Sequence, residues 1–233
     1  EDIIAGVSLY RPGPMDQIPR YIANKKDPEH AVYTHPALKP ILEVTYGCMV
    51  YQEQVMQIVR DLAGYSLGRA DLVRRAMGKK KLDVMAKERE IFIHGQTDEN
   101  GNIVVPGCIR NGIDEQSANK IFDEMAEFAK YAFNKSHAAA YAVVSYRTAY
   151  LKAYYPAEFM ASMLNSFLGN LDKVPEYIDE CKRIGIKILK PDINSSSSKF
   201  TVEFDESRNK NNQIGQIRFG LGSIKNVGLQ PID

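Results

Sequence analysis

The sequence has no tryptophan and only three cysteines, Cys48, Cys108 and Cys181, in 233 residues. The cysteines are odd in number, far apart and without a CxxC spacing or a nearby histidine pair, which argues against a disulfide framework or a zinc site and for reduced thiols. No stretch approaches the 18 consecutive apolar residues of a membrane-spanning helix, and no signal-like apolar segment opens the chain. The expectation is a soluble cytoplasmic protein with no membrane partner. Net charge is scarce too: 30 basic and 29 acidic residues leave +1, so no global field draws the chain to a polyanion, and any such affinity must come from local clusters. P-loop, HExxH and nucleophile-elbow patterns are all missing. No Asp-x-Asp pair occurs to hold two metal ions; the nearest candidate, Glu203 with Asp205, reads as a solvated hairpin end, so the expectation is no metal site in the chain.

What is present is ordinary for one large or two small globular domains: 44% of residues are hydrophobic and 25% charged. The chain opens on Glu1, is at once amphipathic through Ile3, Ile4 and Val7, and stops just after a turn, which reads as a piece of something longer. Residues 11–19, RPGPMDQIP, are expected to form a rigid irregular loop, because each proline fixes its own φ and restricts its predecessor. Apolar spacing predicts helices over about 51–62, 69–77, 82–93 and 115–129, the last capped by Asp114. Glu88, Arg89 and Glu90 read as solvated surface. Residues 96–112 carry an Asn100-Gly101 turn signal and read as a small hairpin. Two further helices follow Pro156, the second stopping at Gly185. Beyond it GIKIL is strand-like, and KFTVEF and QIRFGL flank a polar turn as a hairpin would. The fold class is therefore mainly α, with a small α/β C-terminal part containing a β-hairpin and a boundary near 165.

One segment resists a purely structural reading. In FNKSHAAAYAVVSYRTAYLKAYYP, residues 133–156, four polar groups, Asn134, Lys135, Ser136 and His137, precede a helix expected from about 137 to 154. Asn134 or Ser136 can cap it, but a capping box would want Glu or Gln where Ala139 stands. A helix N-terminus also attracts anions, and here the neighbouring side chains add donors. The terminus alone contributes about 0.3–1 kcal/mol, whereas micromolar nucleotide binding needs about 8 kcal/mol, so other cations must converge. Arg74, Arg75, Lys79, Lys80 and Lys81 could supply them, as a phosphate-binding patch or as a solvated basic face. Tyr131, Tyr141, Tyr146 and Tyr150 could stack on bases or simply pack. Residue chemistry alone thus reaches a helical phosphate-binding module.

The strings LYRPGPM (9–15), YQEQVMQI (51–58), GRADLVRRAMGKKK (68–81) and FNKSHAAAYAVVSYRTAYLKAYYPAEFMAS (133–162) resemble those of the alpha subunit of bacterial replicative DNA polymerase III, the C family. The resemblance runs nearly end to end. It implies residues 1–15 as the trailing edge of the palm, 16–165 as a helical fingers domain, and 166–233 as a linker and the start of a helix-hairpin-helix region, where GLGSIKNVG (220–228) matches the glycine-punctuated turn. It also implies that Arg74, Arg75, Lys79, Asn134, Lys135, Ser136 and His137 face the triphosphate of an incoming deoxynucleotide, with Tyr131 near its sugar or base and Arg11 in the RPGP loop. Mg²⁺ would come with the nucleotide and be held by palm aspartates upstream. Implied partners are a deoxynucleoside triphosphate, primer-template DNA, a sliding clamp and other replisome subunits. By itself the chain would then be inactive.

Two other readings compete. A non-enzymatic nucleic-acid-binding module would use the basic run and the GLGSIKNVG turn on phosphate backbone. A metabolic enzyme or regulator would hold a phosphorylated small molecule at the 133–137 helix start without needing Arg74 and Arg75.

Overall fold

The computed structural model describes residues 1–79, 81–170, 172–204 and 215–227, and its contacts divide the chain into two compact units, 1–143 and 144–233. The described residues are mainly helical, as the apolar periodicity predicts.

The first unit contains α1 (Asp2–Leu9), α2 (Ile18–Lys26), the one-turn α3 (Lys39–Leu42), α4 (Gln52–Ala63), α5 (Leu67–Gly78), α6 (Leu82–His94), α7 (Glu115–Phe128) and the start of α8 (Lys135–Tyr154). Its core forms where the apolar stripes of α4 to α7 meet. Val55, Ile58, Val59 and Leu62 of α4 are all buried, and Phe92 of α6 lies 5.7 Å from Phe122 of α7 between ring centroids. Each large side chain so buried contributes about 1.5–3 kcal/mol. Helix ends follow the sequence signals: Ser66 Oγ accepts from Arg69 N at 3.3 Å, Asp114 Oδ1 accepts from Ser117 N at 2.8 Å, and Gly64 takes the left-handed conformation that ends α4. A second cluster, Ala5, Leu9, Tyr21, Cys48, Val50 and Tyr51, seats α1 and the turn before α4.

Two local readings are corrected. Residues 11–19 are not wholly irregular: Pro14–Gln17 form a 3₁₀ turn and α2 begins at Ile18, with Pro19 in its first turn where a missing N–H costs nothing. Glu88 and Arg89 are not simply solvated. Glu88 accepts from Tyr65 Oη at 2.9 Å and pairs with Arg69 at 3.2 Å, while Arg89 pairs with Asp123 and lies 4.7 Å over the Phe122 ring. The apolar stems of both side chains cover the core edge while their charged ends reach partners on other segments.

Residues 96–107 do form a small antiparallel excursion, β1 (Gln96–Thr97) with β2 (Ile103–Val105). Its neck is closed by Gly107 N donating to Ala63 O at 2.9 Å and Cys108 N donating to Phe92 O at 2.8 Å. Gly95 and Gly107 cross there with positive φ, so closely that a Cβ on Gly107 would lie 2.3 Å from Gly95 N.

In the second unit, α9 (Pro156–Ser166) and α10 (Lys173–Arg183) pack on a three-stranded sheet of β3 (Ile188–Leu189), β4 (Thr201–Glu203) and β5 (Gln216–Arg218), in the order β3-β5-β4. The β4 and β5 pair is the expected antiparallel hairpin; β3 adds a parallel neighbour that the sequence pattern did not reveal. The polar turn between the hairpin strands, with Asp205, lies outside the described residues, as do Lys80 and Gly228. Glu203 is bound by the Arg218 guanidinium through two bonds of 2.8 and 2.9 Å.

All three cysteines are buried and unpaired, and burial pushes the Cys108 thiol up to about 12 and the Cys181 thiol up to about 11. Two glycine substitutions separate conformational strain from steric conflict. Gly112→Ala, at φ +81° in open space, should cost about 1–2 kcal/mol. Gly107→Ala must also displace backbone at the neck and should cost more than about 4 kcal/mol, both read by urea unfolding.

Candidate functional site

The chain segments that lead into α4 and α8 run side by side. Tyr51 and Phe133 form a parallel β-bridge, and Gln52 N donates to Phe133 O at 2.9 Å. Gln54 organises the α4 side of this junction from within: its buried Oε1 accepts from Val50 N at 2.8 Å and Tyr51 N at 3.0 Å, and its Nε2 donates to Thr45 Oγ1 at 2.8 Å. The junction sets the positive ends of two helices next to each other.

An anion already sits at that position. The Glu53 carboxylate, in the first turn of α4, accepts from Lys135 N through both oxygens at 3.1 Å. Asn134 Oδ1 accepts from His137 N at 2.8 Å, so Asn134 caps α8 and Ser136, left exposed, does not. Two of the first three N–H groups of α8 are therefore occupied, one by a carboxylate. Lys135 Nζ pairs with Glu1 at 3.1 Å and lies 5.1 Å from the Tyr51 ring centroid. The Tyr51 hydroxyl is buried, has no hydrogen-bond partner among the described residues, and has its pKa raised by burial and then by Glu1, Asp2 and Glu53. The His137 ring packs between Phe133, at 5.5 Å, and Tyr141, at 4.8 Å.

Arg11 and Tyr131 build a lock behind this junction. Arg11 Nη2 donates to Tyr131 O at 2.6 Å, its Nε donates to Ser8 O at 2.8 Å, and its guanidinium lies 4.5 Å from the Phe133 ring centroid. The Tyr131 ring rests on Gly13, whose φ is +100° and where a Cβ would come within 2.5 Å of the ring. Both residues thus fix the RPGP loop to segment 131–133. Tyr131 also borders a cavity of about 400 Å³, but Asp16, Glu124 and Glu127 line it, which suits it poorly to a polyphosphate.

The second basic cluster lies at the end of α5. Arg74 donates to Asp71 Oδ1 from Nε at 3.0 Å and from Nη2 at 2.6 Å, and Arg75 Nε donates to Asp71 Oδ2 at 2.7 Å. These arginines, Arg74 foremost, hold the Asp71 carboxyl below its usual range. Lys79 follows directly. No hydrogen bond or ion pair among the described residues joins Arg74, Arg75 or Lys79 to residues 134–137. What connects the clusters is packing: a Cβ on Gly78 would lie 3.4 Å from Ala129 O. Asn134 is five residues further along, a path of at most about 17 Å when fully extended.

Glu53, Asp71, Tyr51 and Glu1 were not singled out by sequence reasoning. Glu53 carries the one signal that could have found it, an acidic side chain in the first turn of a predicted helix. Among the described residues no three His, Cys, Asp or Glu side chains group as metal ligands, and the carboxylates at the junction are held by cations or N–H groups. No helix described here is long and apolar enough to cross a membrane.

Comparison with known proteins gives the family. Residues 1–100 match the bacterial DNA polymerase III alpha subunit finger domain, and residues 185–233 match a helix-hairpin-helix motif. Over the whole chain the sequence is 49% identical to DNA polymerase III subunit alpha of Pasteurella multocida, 50% to that of Neisseria meningitidis serogroup A and 48% to that of Escherichia coli K12. The aligned part is 19%, 18% and 19% of those relatives, so the chain spans about a fifth of their length. With a finger-domain match at one end, a helix-hairpin-helix match at the other and about half of its residues identical throughout, the chain belongs to the bacterial DNA polymerase III alpha-subunit family.

Proposed function

We propose that this chain is the fingers portion of a replicative DNA polymerase and that it positions the triphosphate of an incoming deoxynucleotide for template-directed synthesis. The observation that carries this reading is the Glu53 carboxylate on the first N–H of α8, an internal anion at the place where a phosphate would sit. Residues 1–15 belong on this view to the edge of the palm, 16–165 to the fingers, and 166–233 to a linker and the start of the helix-hairpin-helix region.

Asn134, Lys135, Ser136 and His137 form one wall of the nucleotide site, and Arg74, Arg75 and Lys79 form the other. Arginine forks suit phosphate oxygens bidentately, and Lys135 adds a point charge. Tyr131 and Arg11 act behind the site by holding segment 131–133 in place. The contribution to phosphoryl transfer is positioning and charge neutralisation. The metal that accompanies the nucleotide is assigned to palm residues of the longer protein, where primer-template DNA, sliding clamp and other replisome subunits also belong. A non-enzymatic module gripping phosphate backbone is the second reading, favoured by the match to a helix-hairpin-helix motif.

Titration of a fluorescent deoxynucleoside triphosphate with Mg²⁺ tests the assignment. Arg74→Ala and Lys135→Ala should each weaken binding about tenfold, as expected for a lost charge-assisted contact of about 1.5 kcal/mol. Binding indifferent to both would defeat the two-walled site, and binding set only by salt and strand length would favour the phosphate-backbone module. Glu53→Gln keeps an acceptor for Lys135 N but removes a charge that opposes phosphate, and should tighten binding about fivefold, or about 1 kcal/mol. In a primer-extension assay the chain by itself should add no nucleotide; extension by the purified chain would show that its own carboxylates suffice.

A further inference from the structure

The second half of α8 carries a feature that the nucleotide site does not use. Tyr146, Tyr150 and Tyr154 recur at every fourth residue and lie tilted against one another, with centroids 6.3 Å apart for the first pair and 4.5 Å for the second. The rings are not packed into the core. They are 60%, 43% and 69% exposed, and Leu151 beside them is 46% exposed. Among all the residues of the helix only Ala138 and Ala142 are buried.

Charge narrows what this face could meet. From Lys135 to Tyr154 the helix contains Lys135, His137, Arg147 and Lys152 but no aspartate or glutamate, within a chain that is nearly neutral overall. Lys152 is held by Glu180 at 2.8 Å on the side turned toward α10. Arg147 makes no ion pair or side-chain hydrogen bond among the described residues, and at 100° per residue it lies within about 20° of the azimuth of Tyr154. An exposed aromatic ladder flanked by a free guanidinium, on a helix without a carboxylate, complements a polyanion that also has flat apolar groups to bury.

We infer that Tyr146, Tyr150 and Tyr154, with Arg147, form a stacking platform for single-stranded nucleic acid. Tyrosines four residues apart rise about 6 Å along the helix, whereas bases stacked in a duplex strand rise about 3.4 Å. The ring centroids, 6.3 and 4.5 Å apart, are likewise out of step with that rise, so the ladder suits a strand whose bases are free of pairing. Stacking of this kind tolerates any base, and Arg147 meets the backbone. The inference uses none of the residues assigned to the triphosphate.

The test is fluorescence anisotropy of labelled oligo(dT) with the full chain and no nucleoside triphosphate, so its result is independent of the nucleotide site. Tyr150→Ala should weaken binding at least about fivefold, and Tyr150→Phe should restore it. Arg147→Ala should lower the slope of log K against log salt by about 0.7, the value for one phosphate contact on a single strand. The substituted side chains are exposed, and circular dichroism checks that each variant is folded. Several results would overturn the inference: no binding at low salt, equal binding by Tyr150→Ala, or equal affinity for duplex. Sedimentation showing that the face pairs two copies of the chain, with Tyr150→Ala monomeric and oligo(dT) unbound, would overturn it in favour of a protein interface.

Discussion

The first unit turns on a single short pairing, the bridge between Tyr51 and Phe133. It forces the N-termini of α4 and α8 together, although the positive ends of two helix dipoles repel. That juxtaposition is tolerable only if negative charge lies between them, and Glu53 supplies it from the first turn of α4. The same constraint explains why four polar residues stand before a long helix: the end of α8 is held beside another helix start, where an anion is favoured. Gln54 fixes the α4 side through buried bonds, and Arg11 fixes the α8 side from the RPGP loop.

In both basic clusters of the first unit, cations are matched by carboxylates. Arg74 and Arg75 share Asp71, and Lys135 pairs with Glu1. Such pairs at or near the surface contribute only about 0–1 kcal/mol each, because water solvates the separated charges well. Bidentate contacts between arginine and phosphate are shorter, stronger and geometrically fixed. An arrangement of this sort keeps the side chains in order without committing them. On the function proposed above, a near-neutral chain carries a local anion site with no global field, because the counter-charges are internal.

Helices were legible wherever one face is apolar and the ends carry capping residues. The stripe on α7 and its cap Asp114 show this, as do Val59 and Leu62 on α4. Short elements were not legible: the turns between residues 28 and 45 are held by proline geometry and distant contacts, and periodicity says nothing about two or three residues. The parallel placement of β3 beside β5 depends on packing against α10 rather than on any local pattern. Glu88 and Arg89 were misread because a charged residue at a helix surface position is ambiguous until the neighbouring helix is known. At the candidate site the cations were found from sequence, since clustering is visible along the chain. Their carboxylate partners were not all visible, because Glu53 lies 82 residues from the backbone N–H it holds.

Helix α8 shows why composition is a poor guide to burial. Alanines and tyrosines make up much of its length, and a helix that is apolar around much of its circumference is normally buried. Tyrosine, however, is amphipathic, and its hydroxyl lets an aromatic ring stand in water. Only the small residues Ala138 and Ala142 are buried. The larger residues are left outside, so the helix spends few of its contacts on stability and keeps an aromatic face available. Without a carboxylate along 20 residues, that face meets no repulsion from within its own helix when a phosphate backbone approaches. On the two readings proposed above, the absence of acidic residues links the two ends of α8 in one physical property, the first meeting an anion through oriented N–H groups and the second through the exposed Arg147 guanidinium beside the rings.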